Sequence, residues 1–582
     1  MLLFFLALPN LKSCSVPGNS KSVSRKRTGK EHRNELIFIL LLCGVYSFAA
    51  FFRLGDADAP QSFAAMEGRS SVIRLSEEAV PERIMLYAGV GTGNYEIEYS
   101  ADGVNFTHAL SFEQDHVSVL KWNELSPENG ITPRYVRISC TSGTPYLGEL
   151  CFTDFSGRPV PVVSSDIPEL CDEQAVCPVY QFYTNSSYFD EIYHARTAWE
   201  HLHGIWPYEI SHPPLGKLII SAGISAFGMT PFGWRFMGTL SGVLMLPVMY
   251  YLLKRLFGGA TVPALGTIIF ASDFMHLTQT RIATIDSYAV LFILLMYLFM
   301  YGFYEYGSRR DLALSGLFFG LGAASKWTCI YAGAGLAVLW LCRWARCFMS
   351  ASDNADRKLL FKEFVRNCLF CVIFFIIIPC AIYYLSYIPY GIAAGCSPFS
   401  SDYVKIVLDN QEFMFNYHVN VKAEHPYSSR WYQWMLDIRP ILYYLRDFDD
   451  GSRSSIAAFL NPALCWGGLI SMFIVLYAAV FRKDRKASFI LIGYLAQLMP
   501  WIFIKRLTFE YHYFPSSVFL VLALSYVFEL YRENRTDWLC CTVPYTAISA
   551  ALFAVFYPVL TGLPVNSAAA SKLLGWFESW PI

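Results

Sequence analysis

Along most of this chain, apolar runs long enough to cross a bilayer alternate with short polar connections. About 20 apolar residues cover the hydrocarbon thickness as a helix. Runs of this kind fall at about 36–52 (LIFILLLCGVYSFAAFF), 233–253, 260–278, 286–304, 312–324, 327–343, 365–388, 460–480, 487–504, 513–531 and 539–560, eleven spans in all. One region keeps a different rhythm. From about 60 to 165 apolar and polar positions alternate with period two, as in Tyr95, Ile97 and Tyr99 against Glu96 and Glu98. Turn pairs punctuate it at Asp102-Gly103, Asn129-Gly130 and Ser142-Gly143. That pattern predicts a small all-β domain between the first and second spans. Farther on, His212-Pro213-Pro214 predicts the start of a helix along the membrane surface, because proline is tolerated in a first helical turn. The helix continues through the apolar run Leu215 to Phe227, with Lys217 on one side.

Basic residues orient the spans. Lys254-Arg255, Arg309-Arg310, Arg343 with Arg346, Arg357-Lys358 with Lys362, Arg482-Lys483 with Arg485-Lys486, and Arg532 with Arg535 all fall in alternate connections. By the positive-inside rule these are cytoplasmic. The cluster Lys21, Arg25, Lys26, Arg27, Lys30 and Arg33 places the N-terminal tail, 1–35, on the same side. It follows the short apolar run MLLFFLALP rather than preceding it, which argues against a cleaved secretory signal. Every other connection is then extracytoplasmic, including 389–459, and that face collects the chain's non-periodic charged segments.

Composition agrees with a polytopic membrane protein: of 582 residues 54% are hydrophobic, 17% aromatic and only 16% charged. A net charge of −1 and the lack of paired CxxC or GxxxxGK[ST] motifs exclude a strongly basic nucleic-acid binder, a zinc ribbon and a P-loop. Most of the 16 cysteines sit in apolar segments. Cys140, Cys151, Cys171 and Cys177 lie in the extracytoplasmic stretch, where a bridge such as Cys171 to Cys177 is chemically allowed.

Chemistry must therefore come from carboxylates, His, Arg and Lys. The adjacent pair Asp190 and Glu191 precedes His194, Arg196, His201, His203 and His212. A carboxylate at a membrane surface can serve as a base, because partial burial raises its pKa. On a helix His194 and His201 share a face that His203 does not, so no metal site is expected. Cations able to hold a phosphate recur at span ends: Arg235 begins the second span, Arg281 ends the third, and Lys326 breaks two short hydrophobic segments. Asp286 can form an ion pair with Arg281 or position an acceptor. The long loop adds His425, Arg430 and Trp431, a mixture suited to phosphate contact and sugar stacking, and Lys505, Arg506, Glu510 and His512 form the last external cluster.

The motifs FDEIYHA, HPPLGKL, GWRF with RIATIDS, GAASKWT, and HPYSSRWYQWML with KRLTFEYHYFP, in this order from about 188 to 515, resemble the protein O-mannosyltransferase family. The resemblance implies the GT-C glycosyltransferase fold and a catalytic core at 180–388. A C-terminal membrane region follows at 460–582. It also implies an inverting transfer of mannose, or another hexose, from a polyprenyl-phosphate carrier to Ser or Thr of exported proteins. Asp190 is then the base, with Glu191 beside it, and Arg235 matches an essential arginine. Arg281, Lys326, His425, Arg430 and Arg506 are candidates for the carrier phosphate or sugar; His212, Asp286 and Trp431 are structural or acceptor-positioning. The donor is the only cofactor-like molecule implied, and the bilayer and exported proteins are the partners.

NYEIEYSADGVNFT, PRYVRISCTSG and LGELCFTD resemble a discoidin-like, galactose-binding-like jelly roll, for which a glycan ligand or a spacer role are both open. The chain lacks the MIR domains of eukaryotic members. That absence points to a bacterial plasma-membrane enzyme; a eukaryotic member would lie in the endoplasmic reticulum. A cell-wall glycan or lipid acceptor is the alternative. A transporter is disfavoured, because the charges sit at span ends rather than at mid-membrane.

Overall fold

In the computed structural model the described residues are 29–76, 81–126, 133–154 and 156–581. The MLLFFLALP run, most of the N-terminal basic cluster and the Asn129-Gly130 turn lie outside them. The chain forms two compact units, one of Arg53–Glu209 with Ile219–Met237, the other of Ile210–Leu218 with the remainder.

The first unit is built on a β-sandwich of nine strands: β1 Ala64–Ala65, β2 Ser70–Leu75, β3 Arg83–Ala88, β4 Gly93–Ser100, β5 Thr107–Gln114, β6 Lys121–Leu125, β7 Tyr135–Gly143, β8 Tyr146–Thr153 and β9 Val162–Ser165. They form two antiparallel sheets, β1-β8-β3-β6 and β5-β4-β7-β2-β9. Ile84, Leu86, Leu150 and Phe152 of one sheet share a core with Ile73, Tyr95, Ile97 and Ile138 of the other. The predicted alternation holds, since Tyr95, Ile97 and Tyr99 point inward. Glu98 instead faces Arg137 across the β4–β7 ladder at 2.5 Å. Two predicted turns are present. Gly143 has φ +85°, and a Cβ there would meet the Thr92 carbonyl at 2.2 Å, so only glycine fits.

β6 is an edge strand, and its open side is covered by the segment that leads to Asp190. The Trp122 N–H donates to Ser186 Oγ (3.1 Å), and Ser187 donates through its N–H to the Leu120 carbonyl and through its hydroxyl to Val119, each at 2.8 Å. The Gln181 N–H donates to the Glu124 carboxylate at 2.6 Å. The sequence reading placed 180–209 with the membrane core; its contacts group it with the sandwich instead.

The second unit is mainly helical. Across the described residues eight helices are long and apolar enough to cross a membrane: His32–Phe51, Pro231–Phe257, Asp286–Tyr306, Thr328–Met349, Asn354–Ala393, Pro462–Val480, Glu510–Asn534 and Leu539–Thr561. The other three of the eleven predicted runs fall on shorter helices. At 260–278 the Asp273 carboxylate accepts the His276 N–H and starts a new helix, Phe274–Arg281, after Thr261–Ala271. Arg309–Ser325 and Arg485–Leu498 cover the other two. His212-Pro213-Pro214 does precede a helix, Leu215–Phe227.

Basic helix ends assigned to one side meet one another. Arg255 pairs with Asp311 (3.4 Å), Arg485 with Glu305 (3.0 Å) and Lys254 with Glu35, while Arg343 and Arg346 both donate to the Tyr304 carbonyl. The long loop at 389–459 is more ordered than its sequence suggests. It contains the helix Ser401–Asn420 and the hairpin β10 Ile441–Asp447 and β11 Ser452–Ala458, the latter also paired with β12 Val565–Asn566.

Candidate active site

Asp190 and Glu191 are adjacent in sequence but opposite in environment. Asp190 occupies the N-cap position of the helix Glu191–Leu202 without its side chain capping a helical N–H. The residue before it, Phe189, has φ +48°, a left-handed conformation that an aromatic residue adopts only under constraint. Asp190 is half-buried; Glu191 exposes nothing.

Glu191 is held by Arg235, in the first turns of the helix Pro231–Phe257. The guanidinium binds both carboxylate oxygens at 2.7 Å through Nε and Nη2. Its remaining donors reach the carbonyls of Leu54 (2.9 Å), Tyr183 (2.7 Å) and Ser186 (2.8 Å). A guanidinium has five N–H donors, and all five are engaged here. Arg235 is wholly buried and its guanidinium lies 4.6 Å from the Tyr188 ring centroid. The expectation that it grips the carrier phosphate is therefore corrected: its donors are spent on Glu191 and on three carbonyls of its own unit. Glu191, expected beside the base as a catalytic group, is committed to the same clamp. The nearby histidines divide too: His203 Nδ1 donates to the Trp199 carbonyl (2.9 Å), while His194 and His201 are buried.

In the helical unit, Arg281 is buried at the end of the helix Phe274–Arg281. Its Nη1 donates to the carbonyls of Ala50 (2.6 Å) and Phe52 (3.0 Å), at the C-terminal end of the first helix, where a cation meets the negative pole of the helix dipole. Asp286 opens the helix Asp286–Tyr306. It pairs with Lys326 at 2.7 Å, not with Arg281. Lys326 sits in the break between Arg309–Ser325 and Thr328–Met349, as expected. An ammonium has three donors, so this bond leaves two.

His418, which the sequence reading passed over, lies on the helix Ser401–Asn420 beside His212, ring centroids 5.2 Å apart, and bonds the Ser211 carbonyl at 2.9 Å. Burial pushes its pKa down to about 3, helped by the charges of His212, Arg506 and Lys326. Their combined effect on one imidazole places these cationic groups in a single electrostatic neighbourhood. His425, Arg430, Gln433, Lys505 and Arg506 line a cavity of about 410 Å³, which brings together three predicted residues from two distant motifs. Arg430 donates to the Lys505 carbonyl at 3.2 Å and so ties the two segments. Trp431 is half-buried and outside the cavity lining, against Tyr432. Trp434 is core, with its indole N–H on Ser429.

Asp437 was also missed. It is fully buried with φ +55°, its Oδ1 accepts the Leu460 N–H (3.0 Å), and its carboxyl meets that of Glu510. Two carboxyl groups bond only through a shared proton, and burial pushes Asp437 up to about 6.

The bundle of long apolar helices, with carboxylates and cations at helix ends, has the GT-C fold, which a solved structure shares. The structure of the Saccharomyces cerevisiae protein O-mannosyltransferase Pmt1-Pmt2 complex bound to the sugar donor matches with TM-score 0.59 at 14% identity, over 68% of this chain and 90% of that one. A family model described as dolichyl-phosphate-mannose-protein mannosyltransferase matches residues 211–383. A second, the C-terminal four TMM region of protein-O-mannosyltransferase, matches 403–580. The polyprenol-phosphate-mannose–protein mannosyltransferase of Mycolicibacterium smegmatis is 26% identical over 459 residues, covering 67% of this chain and 87% of the relative. That of Corynebacterium glutamicum is 23% identical over 463 residues, covering 67% and 88%. The chain belongs to the protein O-mannosyltransferase family. Residues before 211, the sandwich and the Asp190–Glu191 pair among them, fall outside both family models.

Proposed function

We propose that this enzyme transfers mannose from a polyprenyl-phosphate carrier to Ser or Thr hydroxyls of exported proteins. The carrying observation is the division of labour in the carboxylate pair. Glu191 is neutralised by Arg235, which leaves the half-exposed Asp190 as the base. Asp190 takes the acceptor hydroxyl proton as that oxygen attacks the anomeric carbon. The bond from that carbon to the phosphate oxygen breaks, its electron pair leaves on the polyprenyl phosphate, and the anomeric configuration inverts. Positioned proton transfer of this kind contributes about 10²–10⁴ in rate.

The departing phosphate is assigned to the cationic groups of the helical unit: Arg506 first, then Lys505 and Arg430, with Lys326 through its two remaining donors. Arg235 acts on the reaction only through the loop it holds. The reaction is placed on the extracytoplasmic face of a bacterial plasma membrane, a reading supported by the alternating basic connections and the bacterial relatives. The sandwich, discoidin-like in its sequence motifs, is assigned acceptor recruitment, glycan-bearing acceptors included.

The test is transfer from synthetic polyprenyl-phosphate mannose, by purified full-length enzyme, to Ser/Thr peptides and to isolated cell-wall glycan. Mannosyl-peptide of inverted configuration is expected. Product on glycan alone would reassign the acceptor, and no product on either would refute the activity.

A further inference from the structure

Two cysteines of the sandwich unit share one small core although they lie far apart in sequence. Cys151, in β8, is wholly buried in a small core with Met85, Tyr87 and Trp122. Cys177, half-buried, packs against that same core directly after the short helix Gln174–Val176. The backbones on either side are already fastened. The Glu149 carboxylate accepts the Glu173 N–H (3.2 Å) and the Gln174 amide, and that amide also donates to the Leu150 carbonyl at 2.7 Å. These bonds hold the two segments that carry Cys151 and Cys177 against each other. The pairing suggested by sequence, Cys171 with Cys177, is not favoured. Cys171 packs on the main sandwich core, and Cys140 points its thiol at the Ser142 carbonyl (3.4 Å).

We propose that Cys151 and Cys177 are joined by a disulfide in the mature enzyme, formed by exchange with a disulfide-bearing thiol oxidoreductase outside the cytoplasm. The proposal rests on the extracytoplasmic placement argued above. Exchange starts at the accessible Cys177, because burial holds the Cys151 thiol well above its ordinary range. The Cys177 thiolate attacks one sulfur of the donor disulfide and displaces the other as a thiolate. The Cys151 thiolate then attacks the Cys177 sulfur and releases the donor's second thiol. Both electrons and both protons end on the donor, now a dithiol. The bridge pins the segment that runs on to Asp190 against β8.

Cells are alkylated before lysis, and the full-length protein is purified and digested without reductant for mass spectrometry. A linked peptide pair containing Cys151 and Cys177 is expected; it should survive in Cys171→Ala and vanish in Cys177→Ala. Reductant should lower the unfolding temperature of the sandwich by about 5 °C or more, and should do nothing to the Cys151→Ala/Cys177→Ala variant. A Cys171–Cys177 link would overturn the assignment. Sidedness is read from Val104→Cys, at a position 78% exposed, with a membrane-impermeant maleimide on intact cells, scored above the unsubstituted chain. If Val104→Cys labels while both thiols are found alkylated, the disulfide is refuted and the topology stands. If it stays unlabelled and both thiols are free, the extracytoplasmic reading fails and the disulfide falls with it.

Discussion

Glu191 and Arg235 are joined by two parallel hydrogen bonds of 2.7 Å, and neither side chain exposes any surface. Removing one partner of such a pair leaves an uncompensated buried charge, at a cost of about 3–5 kcal/mol. Arg235→Lys keeps a charge but loses the fork and most of the carbonyl bonds. It and Glu191→Gln should both lower thermal stability by several degrees. Donor affinity per folded molecule should stay close to wild type in both. A fall in donor affinity for Arg235→Lys with unchanged stability would return the arginine to the phosphate.

Asp190→Asn should give the opposite profile. It removes a base at nearly constant volume from a half-exposed position, so turnover should fall by about 10²–10⁴. The unfolding temperature and donor affinity should barely change. Retention of most of the wild-type turnover would exclude Asp190 as the base.

Among the cations, Arg506 should matter to the donor and Lys326 to both donor and fold. A hydrogen bond to a charged group contributes about 1.5–3 kcal/mol, so Arg506→Gln should weaken donor binding roughly tenfold to a hundredfold without destabilising the protein. Lys326→Met strands Asp286 and should lower stability as well. Titration of polyprenyl-phosphate mannose against each variant, beside thermal unfolding, separates the two effects.

Asp437 makes stability depend on pH with a defined sign. Its folded-state pKa of about 6 lies above the ordinary carboxylate value near 4, so the native state holds a proton that the unfolded chain releases. This contribution is fully present below about pH 4 and is lost as pH rises through about 6. Asp437→Asn, whose amide can donate to Glu510, should flatten that decline. Unfolding temperatures measured between about pH 4 and pH 7 check it, and an unchanged slope in the variant would rule the pair out as its source.

Much of the scaffold was legible because local pattern encodes it. Period two marked Tyr95, Ile97 and Tyr99, paired prolines marked the start of Leu215–Phe227, and a lysine between apolar runs marked a helix break. Partners were not legible. Arg235 announces a cation, but nothing in GWRF says that its acceptors are Glu191 and the carbonyls of residues 54, 183 and 186. Asp286 was matched to the nearer arginine, when the pair forms across 40 positions with Lys326. His418 and Asp437 escaped notice because 389–459 reads as an irregular loop. Its helix and hairpin are stabilised by contacts with distant segments such as Ser211 and β12.

The cover over β6 has a consequence for what the cell does with faulty copies. An uncovered edge strand offers unpaired backbone groups to any passing strand, and natural sheets guard against it. Here the guard is the Gln181–Ser187 stretch, a few residues from Asp190. Substitutions such as Ser187→Ala that loosen the approach to Asp190 also expose a sticky strand. Such lesions should therefore surface as aggregated or degraded chains rather than as inert enzyme accumulating in the membrane, so quality control does part of the policing of catalytic geometry.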